Sequence, residues 1–281
     1  MSERREIPVD GLMFPEGPRW HDGALWFSDQ LGGAVRRLVD GSASAGAGDE
    51  VAVVARLDHP SGLGFLPDGS LLVASMSDRR ILRIAGGQVS VHADLSDRAK
   101  HLNDAYVDEH GRVYVDAYAS GWRAGELLLV DERGEVSVAA AEVDYPNGVA
   151  ITPDGSTLLV SETFGACVSA FDVGPDGRLS NRRVWAALAD RAPDGLCLDA
   201  EGAAWVACFR SGEFLRVREG GEVTDRLTVD GRWAMACALG GEDGRTLFLC
   251  SAETDGDAYY RGESVGHLEA VRVDVAGVCR P

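Results

Sequence analysis

Several absences narrow what this 281-residue chain can do. It has no G-x-G-x-x-G and no G-x-x-x-x-G-K, so the glycine-rich turns that cradle dinucleotides and nucleotide phosphates are missing. No stretch reaches the roughly 20 apolar residues needed to span a bilayer as a helix, and no segment shows the period of a long amphipathic helix. The six cysteines (Cys167, Cys197, Cys208, Cys237, Cys250 and Cys279) include no Cys-x-x-Cys pair. Five of them lie inside apolar runs and read as reduced core thiols, not as zinc ligands or disulfides. Basic residues are scarce: 27 Lys and Arg against 45 Asp and Glu give a formal charge of −18, which opposes nucleic acid and anionic membrane as partners. The opening Met-Ser-Glu-Arg-Arg-Glu-Ile-Pro lacks the apolar stretch of a secretory signal, so a cytoplasmic location is expected.

What the chain does contain is a repeat. A turn ending in glycine, followed by a short apolar strand, recurs as HDGALWFSD, PDGSLLVAS, EHGRVYVDA, PDGSTLLVSE, AEGAAWVAC and EDGRTLFLC. The turn glycines Gly23, Gly69, Gly111, Gly155, Gly202 and Gly244 are spaced by 46, 42, 44, 47 and 42 residues. That period suits one four-stranded propeller blade. The acidic-Gly dipeptides suit hairpin turns because glycine supplies positive φ there. The spacing therefore predicts an all-β, six-bladed propeller occupying residues 1–281 as a single domain. The sixth copy runs out after GHLEAVRVDVAG, while REIPVDGLMF precedes the first blade and needs a sheet. The N-terminal strand is expected to complete the last blade and close the ring. The Gly/Ala/Ser stretch at 41–48 reads as a flexible loop within the first blade.

Superposing the copies identifies a second set of positions. Seven or eight residues before each turn glycine, in what reads as an entry loop, stand Glu16, Ser61, Asn103, Asn147, Asp194 and Ala236. A propeller brings equivalent positions around one axis, so five side-chain oxygens are expected to converge. Three of them follow a proline and precede a glycine, in Pro15-Glu16-Gly17, Pro146-Asn147-Gly148 and Pro193-Asp194-Gly195. Pro-Asp-Gly is also an ordinary turn, as at residues 67–69, 153–155 and 175–177. The joint register of Glu16, Asn147 and Asp194 is what marks them as functional. Carboxylates and amide oxygens without His or Cys suit one hard divalent cation, Ca²⁺ first, then Mg²⁺ or Mn²⁺, with Zn²⁺ less indicated.

These residues carry a family resemblance. Through FPEGPRW, HLNDAYVDEHGRVYV, YPNGVAITPDG, LSNRRVWA and APDGLCLDAEGAAWVAC, in that order, the chain resembles the senescence marker protein/gluconolactonase/luciferin-regenerating-enzyme family, the regucalcin-like lactonases. The resemblance covers nearly the whole chain. It implies a six-bladed propeller whose divalent metal is held by Glu16, Asn147 and Asp194, with Asp194 also the general base. It further implies that the loop around Asn103 contacts substrate. Sugar-lactone members carry Arg two residues before this Asn, and this chain has His101. A forked guanidinium and an imidazole present different donors, and imidazole can exchange a proton near neutral pH, so His101 is the alternative base.

The expected activity is metal-assisted hydrolysis of a cyclic ester, with a small lactone as substrate and Asn103 and His101 orienting it. Tyr118 and Trp122 follow the second strand of the Asn103 blade and are read as a lid. Phe14, Tyr145, Phe164 and Trp233 stand near the ring. Residues 254–264, TDGDAYYRGES, read first as a solvated loop and second as a substrate rim or calcium site. No serine is placed on a strand-to-helix elbow, which disfavours serine hydrolysis. A cation-binding or scaffold propeller, or a metal-dependent propeller acting on another ester, a phosphotriester or an isomerisation, are the alternatives. A monomer or small homo-oligomer is expected.

Overall fold

A computed structural model describes residues 4–39, 50–118 and 125–278. The loop at 41–48, Trp122 and Cys279 lie outside the described residues. Twenty-three of the 24 strands run in chain order as meanders of antiparallel neighbours, making six four-stranded sheets. The exception is Arg4–Ile7, which pairs from Arg4↔Val271 to Ile7↔Leu268 and so forms the outer strand of the sixth sheet. The expected closure holds, and Arg4 Nε reinforces it by donating to Glu269 Oε1 at 2.8 Å. All six repeat glycines have positive φ, between 71° and 81°, as the hairpins require.

The innermost strands are Pro15–His21, Pro60–Phe65, His101–Val107, Pro146–Ile151, Pro193–Leu198 and Trp233–Gly240. Each contacts the next, and the last contacts the first, so they line one axis. Apolar clusters fill the spaces between adjacent blades, such as Leu159, Val168, Leu196, Val206 and Leu215 between the fourth and fifth. The core is thus divided among six wedge-shaped interfaces, as expected when each sheet buries both faces against its neighbours.

One local expectation changes. Residues 254–264 are not an irregular loop: Gly256–Arg261 form a short helix, capped by Asp255, whose side chain accepts from Ala258 N, and ended by Gly262 at φ 68°. The neighbouring Gly262-Glu263-Ser264-Val265-Gly266 has the letters of Gly-x-Ser-x-Gly, yet Ser264 lies between helix and strand. It is buried, with its hydroxyl 2.7 Å from Thr254 Oγ1. That is the reverse of a nucleophile elbow. No helix among the described residues is long and apolar enough to cross a membrane.

Candidate functional site

The oxygen-bearing positions do not lie in loops. They sit in the inner strands, each at an interruption of the pairing with the second strand. Pairing jumps from Glu16 to Arg19, Pro60 to Leu63, Leu102 to Ala105, Pro146 to Val149, Pro193 to Leu196 and Ala234 to Ala236. A bulge leaves residues unpaired and re-aims their side chains, here at the same level of all six blades. In the sixth blade the displaced residue is Met235, one before the expected Ala236, and neither supplies an oxygen.

Glycine follows every oxygen residue except Asn103, which Asp104 follows, and these glycines have a packing reason. A Cβ on Gly62 would fall 1.9 Å from Ala105 N, one on Gly148 2.5 Å from Asp194 O, and one on Gly195 2.7 Å from Ala236 Cα. Bulge therefore nests on bulge around the axis, which only glycine permits. Gly17 combines a 2.8 Å approach to Ser61 O with a φ of +53°, whereas Gly62, Gly148 and Gly195 need no left-handed backbone.

The bulge side chains join across blade boundaries. Ser28 Oγ donates to Ser61 O at 2.6 Å, Ser61 Oγ to Asn103 Oδ1 at 2.9 Å, and Asn103 Nδ2 to Asn147 Oδ1 at 3.3 Å. The Asn147 side chain in turn acts on the Asp194 carboxyl, favouring its charged form. Glu16 completes the arc electrostatically. Burial, and then the Asp104 charge, push its carboxyl up to about 8, against the pull of Gly17 N–H and Arg19. Asp194 is raised well above the ordinary carboxylate range, first by burial and then by Glu16, Asp104 and Asp116. Its Oδ1 has no hydrogen-bond partner.

Two further acids belong to this centre. Asp104 is buried and raised by that burial, with the Arg19 guanidinium 3.5 Å away drawing it back. Asp116 is fully buried, accepts from Asn103 N at 2.7 Å, and leaves Oδ2 unpartnered. Burial and then Asp104 raise it well above its usual range. Both were readable in the sequence. Asp104 adjoins Asn103, and Asp116 is a charge five residues past Gly111, where the first, second and fifth copies carry Ser28, Ala74 and Ala207.

His101 is exposed at the start of its strand and pairs with Tyr118, so it stands at the rim two residues above Asn103. Tyr118 is buried and its hydroxyl donates to the Pro146 carbonyl. It braces the Asn147 strand instead of forming a movable lid.

The donor set suits a hard cation. Four buried carboxyl groups act on one another with the Arg19 guanidinium beside Asp104, and an Asp194 oxygen stands without a partner, an arrangement costly unless a positive charge enters. Among the described residues no three His, Cys, Asp or Glu side chains form a ready-made cage. A cation would therefore rely on the Asn147 amide oxygen beside Glu16 and Asp194, as expected for Ca²⁺ or Mg²⁺ and not for zinc.

Comparison with known proteins agrees with this architecture. The SMP-30/gluconolactonase/LRE-like region matches residues 14–253. A 6-deoxy-6-sulfogluconolactonase of Pseudomonas putida is 30% identical, across 95% of this chain and 93% of its own. A pentonolactonase of Haloferax volcanii is 29% identical, across 95% and 92%. The crystal structure of regucalcin from Agrobacterium tumefaciens, described as a calcium-binding protein, superposes with a TM-score of 0.83 at 23% identity, covering 100% of this chain and 97% of its own. Fold, repeat and sequence match lead to one assignment: the chain belongs to the SMP-30/gluconolactonase/LRE-like family.

Proposed function

We propose that this protein is a divalent-cation-dependent lactonase, with Glu16, Asn147 and Asp194 holding the cation. The observation that carries this reading is the buried Glu16/Asp194 pair, in which Glu16 raises the proton affinity of Asp194, Asp104 raises that of both, and one Asp194 oxygen lacks any partner. The relatives named as sugar-acid lactonases support the reaction class. When bound, the cation supplies Lewis acidity to a carbonyl oxygen and lowers the pKa of water.

The chain's own groups then divide the remaining work. Asn103 is fixed by three bonds, through Oδ1, Nδ2 and its backbone N–H, so its amide meets the substrate without an ordering cost. Hydrolysis adds water oxygen to the acyl carbon, breaks the ring C–O bond, and returns one proton to the departing alkoxide. Asp194 is the base that removes a proton from water when ionised, and His101, exposed at the rim, is the alternative carrier to the alkoxide.

The test measures hydrolysis of a lactone panel by pH-stat, with Ca²⁺, Mg²⁺ or Mn²⁺ and after chelation, beside Asp194→Asn. The expected result is loss on chelation, and a fall of roughly 10²- to 10³-fold in kcat/KM for the variant. Hydrolysis that survives chelation would sink the cation's role, and a panel with no substrate would sink the lactonase reading.

A further inference from the structure

The mouth above Glu16 and Asp194 has two chemically different sides. At this end of each blade, the segment entering the inner strand meets the turn between the second and third strands. Backbone bonds from Gln30 N to Phe14 O, Thr163 N to Tyr145 O and Phe209 N to Ala192 O tie these segments together, and Ala234 N to Phe209 O joins the sixth blade to the fifth. In the fourth, fifth, sixth and first blades the positions are held by Tyr145, Phe164, Phe209, Trp233, Tyr259 and Phe14. Aromatic residues are only 7% of the chain, so the concentration is local.

Their rings form a continuous collar. Tyr145 and Phe164 lie 4.6 Å apart, Phe209 and Trp233 5.2 Å, and Phe14 and Tyr259 4.9 Å. The Arg210 guanidinium links the first pair to the second, 5.9 Å from the Phe164 ring and 5.2 Å from that of Phe209. Trp233 joins Phe14 and Tyr259 in one apolar cluster around Met235. The collar faces the acids: Asp194 acts electrostatically on Tyr145, and both Glu16 and Asp194 on Tyr259. All of these rings except Phe14 remain partly exposed, and Tyr260 beside them is 74% exposed. Among the described residues, the second and third blades present at this end His59, hydrogen-bonded to Asp58 and Ser77, together with Lys100 and His101.

Resting on the lactonase reading, we infer that the preferred substrate is a lactone bearing an aromatic or flat apolar ring. The ring lies against the collar of Phe164, Tyr145, Trp233 and Tyr259, and the ester faces Glu16 and Asp194. A polyol lactone carries hydroxyls around its edge, and each one desolvated without a partner loses affinity. Of the collar's polar groups, the Tyr259 hydroxyl is already bonded to Gln30 Oε1 at 2.6 Å, and the Arg210 guanidinium lies over the Phe164 and Phe209 rings. A flat ring gains buried area there, and about two- to tenfold more for each favourable ring contact.

Dihydrocoumarin and glucono-δ-lactone, assayed by pH-stat with Ca²⁺ or Mn²⁺ supplied, separate the two substrate classes. The expected result is a higher kcat/KM for dihydrocoumarin, and a fall of about tenfold in that ratio for Phe164→Ala, with Phe164→Leu between. A preference for gluconolactone, or an unchanged ratio in Phe164→Ala, overturns the inference while leaving the lactonase reading standing. If neither lactone is turned over, the lactonase reading falls. The collar is then judged by calorimetric binding of 3-(2-hydroxyphenyl)propanoate against gluconate. Binding of the aromatic acid that weakens in Phe164→Ala upholds an aromatic-ring site, and equal or absent binding overturns it.

Discussion

The same six inner strands make two unlike ends of one axis. Their first residues are bulged, hydrogen-bonded from blade to blade, and hold the buried acids Glu16, Asp104 and Asp194 beside the amides Asn103 and Asn147. Their last residues pair regularly and border a cavity of about 120 Å³ whose lining includes Phe65, Val107, Ile151, Leu196, Leu198 and Leu239. This cavity is not where the chemistry stands, because its walls hold no carboxylate and Arg19 is its one charged side chain. The difference teaches that pairing register separates function from support. Where alternation is broken, backbone groups and side chains turn to the axis, and where it is kept, apolar side chains fill it.

The sharpest way to break this contrast is to remove a bulge contact. Gly62→Ala places a Cβ 1.9 Å from Ala105 N and 2.6 Å from Asp104 C, so backbone must move at the second and third blades together. The expected loss is about 3 kcal/mol or more, read by urea denaturation, with lactone turnover falling as Asn103 and Asp104 shift. A variant with wild-type stability would show that the nested bulges are slack. At the other end, Leu196→Ala removes a buried side chain that already borders a cavity, so a cost of about 2 kcal/mol is expected. Turnover per folded molecule should stay at the wild-type level, because Leu196 begins the regularly paired half of its strand. Loss of activity at unchanged stability would erase the division between the ends.

Much of this architecture was legible in sequence because its signals are local. Acidic-Gly turns set the period, alternation set the strands, and an orphan N-terminal segment matched an incomplete sixth copy. The convergence of Glu16, Asn103, Asn147 and Asp194 followed from register alone. What escaped depends on three-dimensional pairing. A bulge shows only when two strands are aligned, so the inner positions read as loops, and the sixth blade was set at Ala236 when Met235 is displaced. The role of Gly62, Gly148 and Gly195 depends on a strand more than forty residues away. Asp116 carried a visible signal, a lone charge in an apolar strand, yet its partner Asn103 N lies across the sheet. The helix at Gly256–Arg261 is too short for helical periodicity to reveal.

The smallest expected effect tests the acid end through pH. Burial and the Asp104 charge raise Glu16 from an ordinary carboxyl to about 8, so in cation-free protein the folded chain keeps a proton that the unfolded chain has lost from near pH 4.5 upward. Between those values the folded state binds more protons, and stability must fall as pH rises. The stabilising contribution is complete below about pH 4.5 and is lost as pH passes through about 8. The slope for one such group is about 1 kcal/mol per pH unit, which in a chain of this size is a few degrees of melting temperature. Scanning fluorimetry in chelator from pH 5.5 to 8 reads it directly. Glu16→Gln should flatten the curve, since the amide does not titrate, while Leu196→Ala at the apolar end should lower the curve and leave its slope. A wild-type slope retained in Glu16→Gln would assign the titration to Asp104, Asp116 or Asp194 and remove Glu16 from the electrostatic centre.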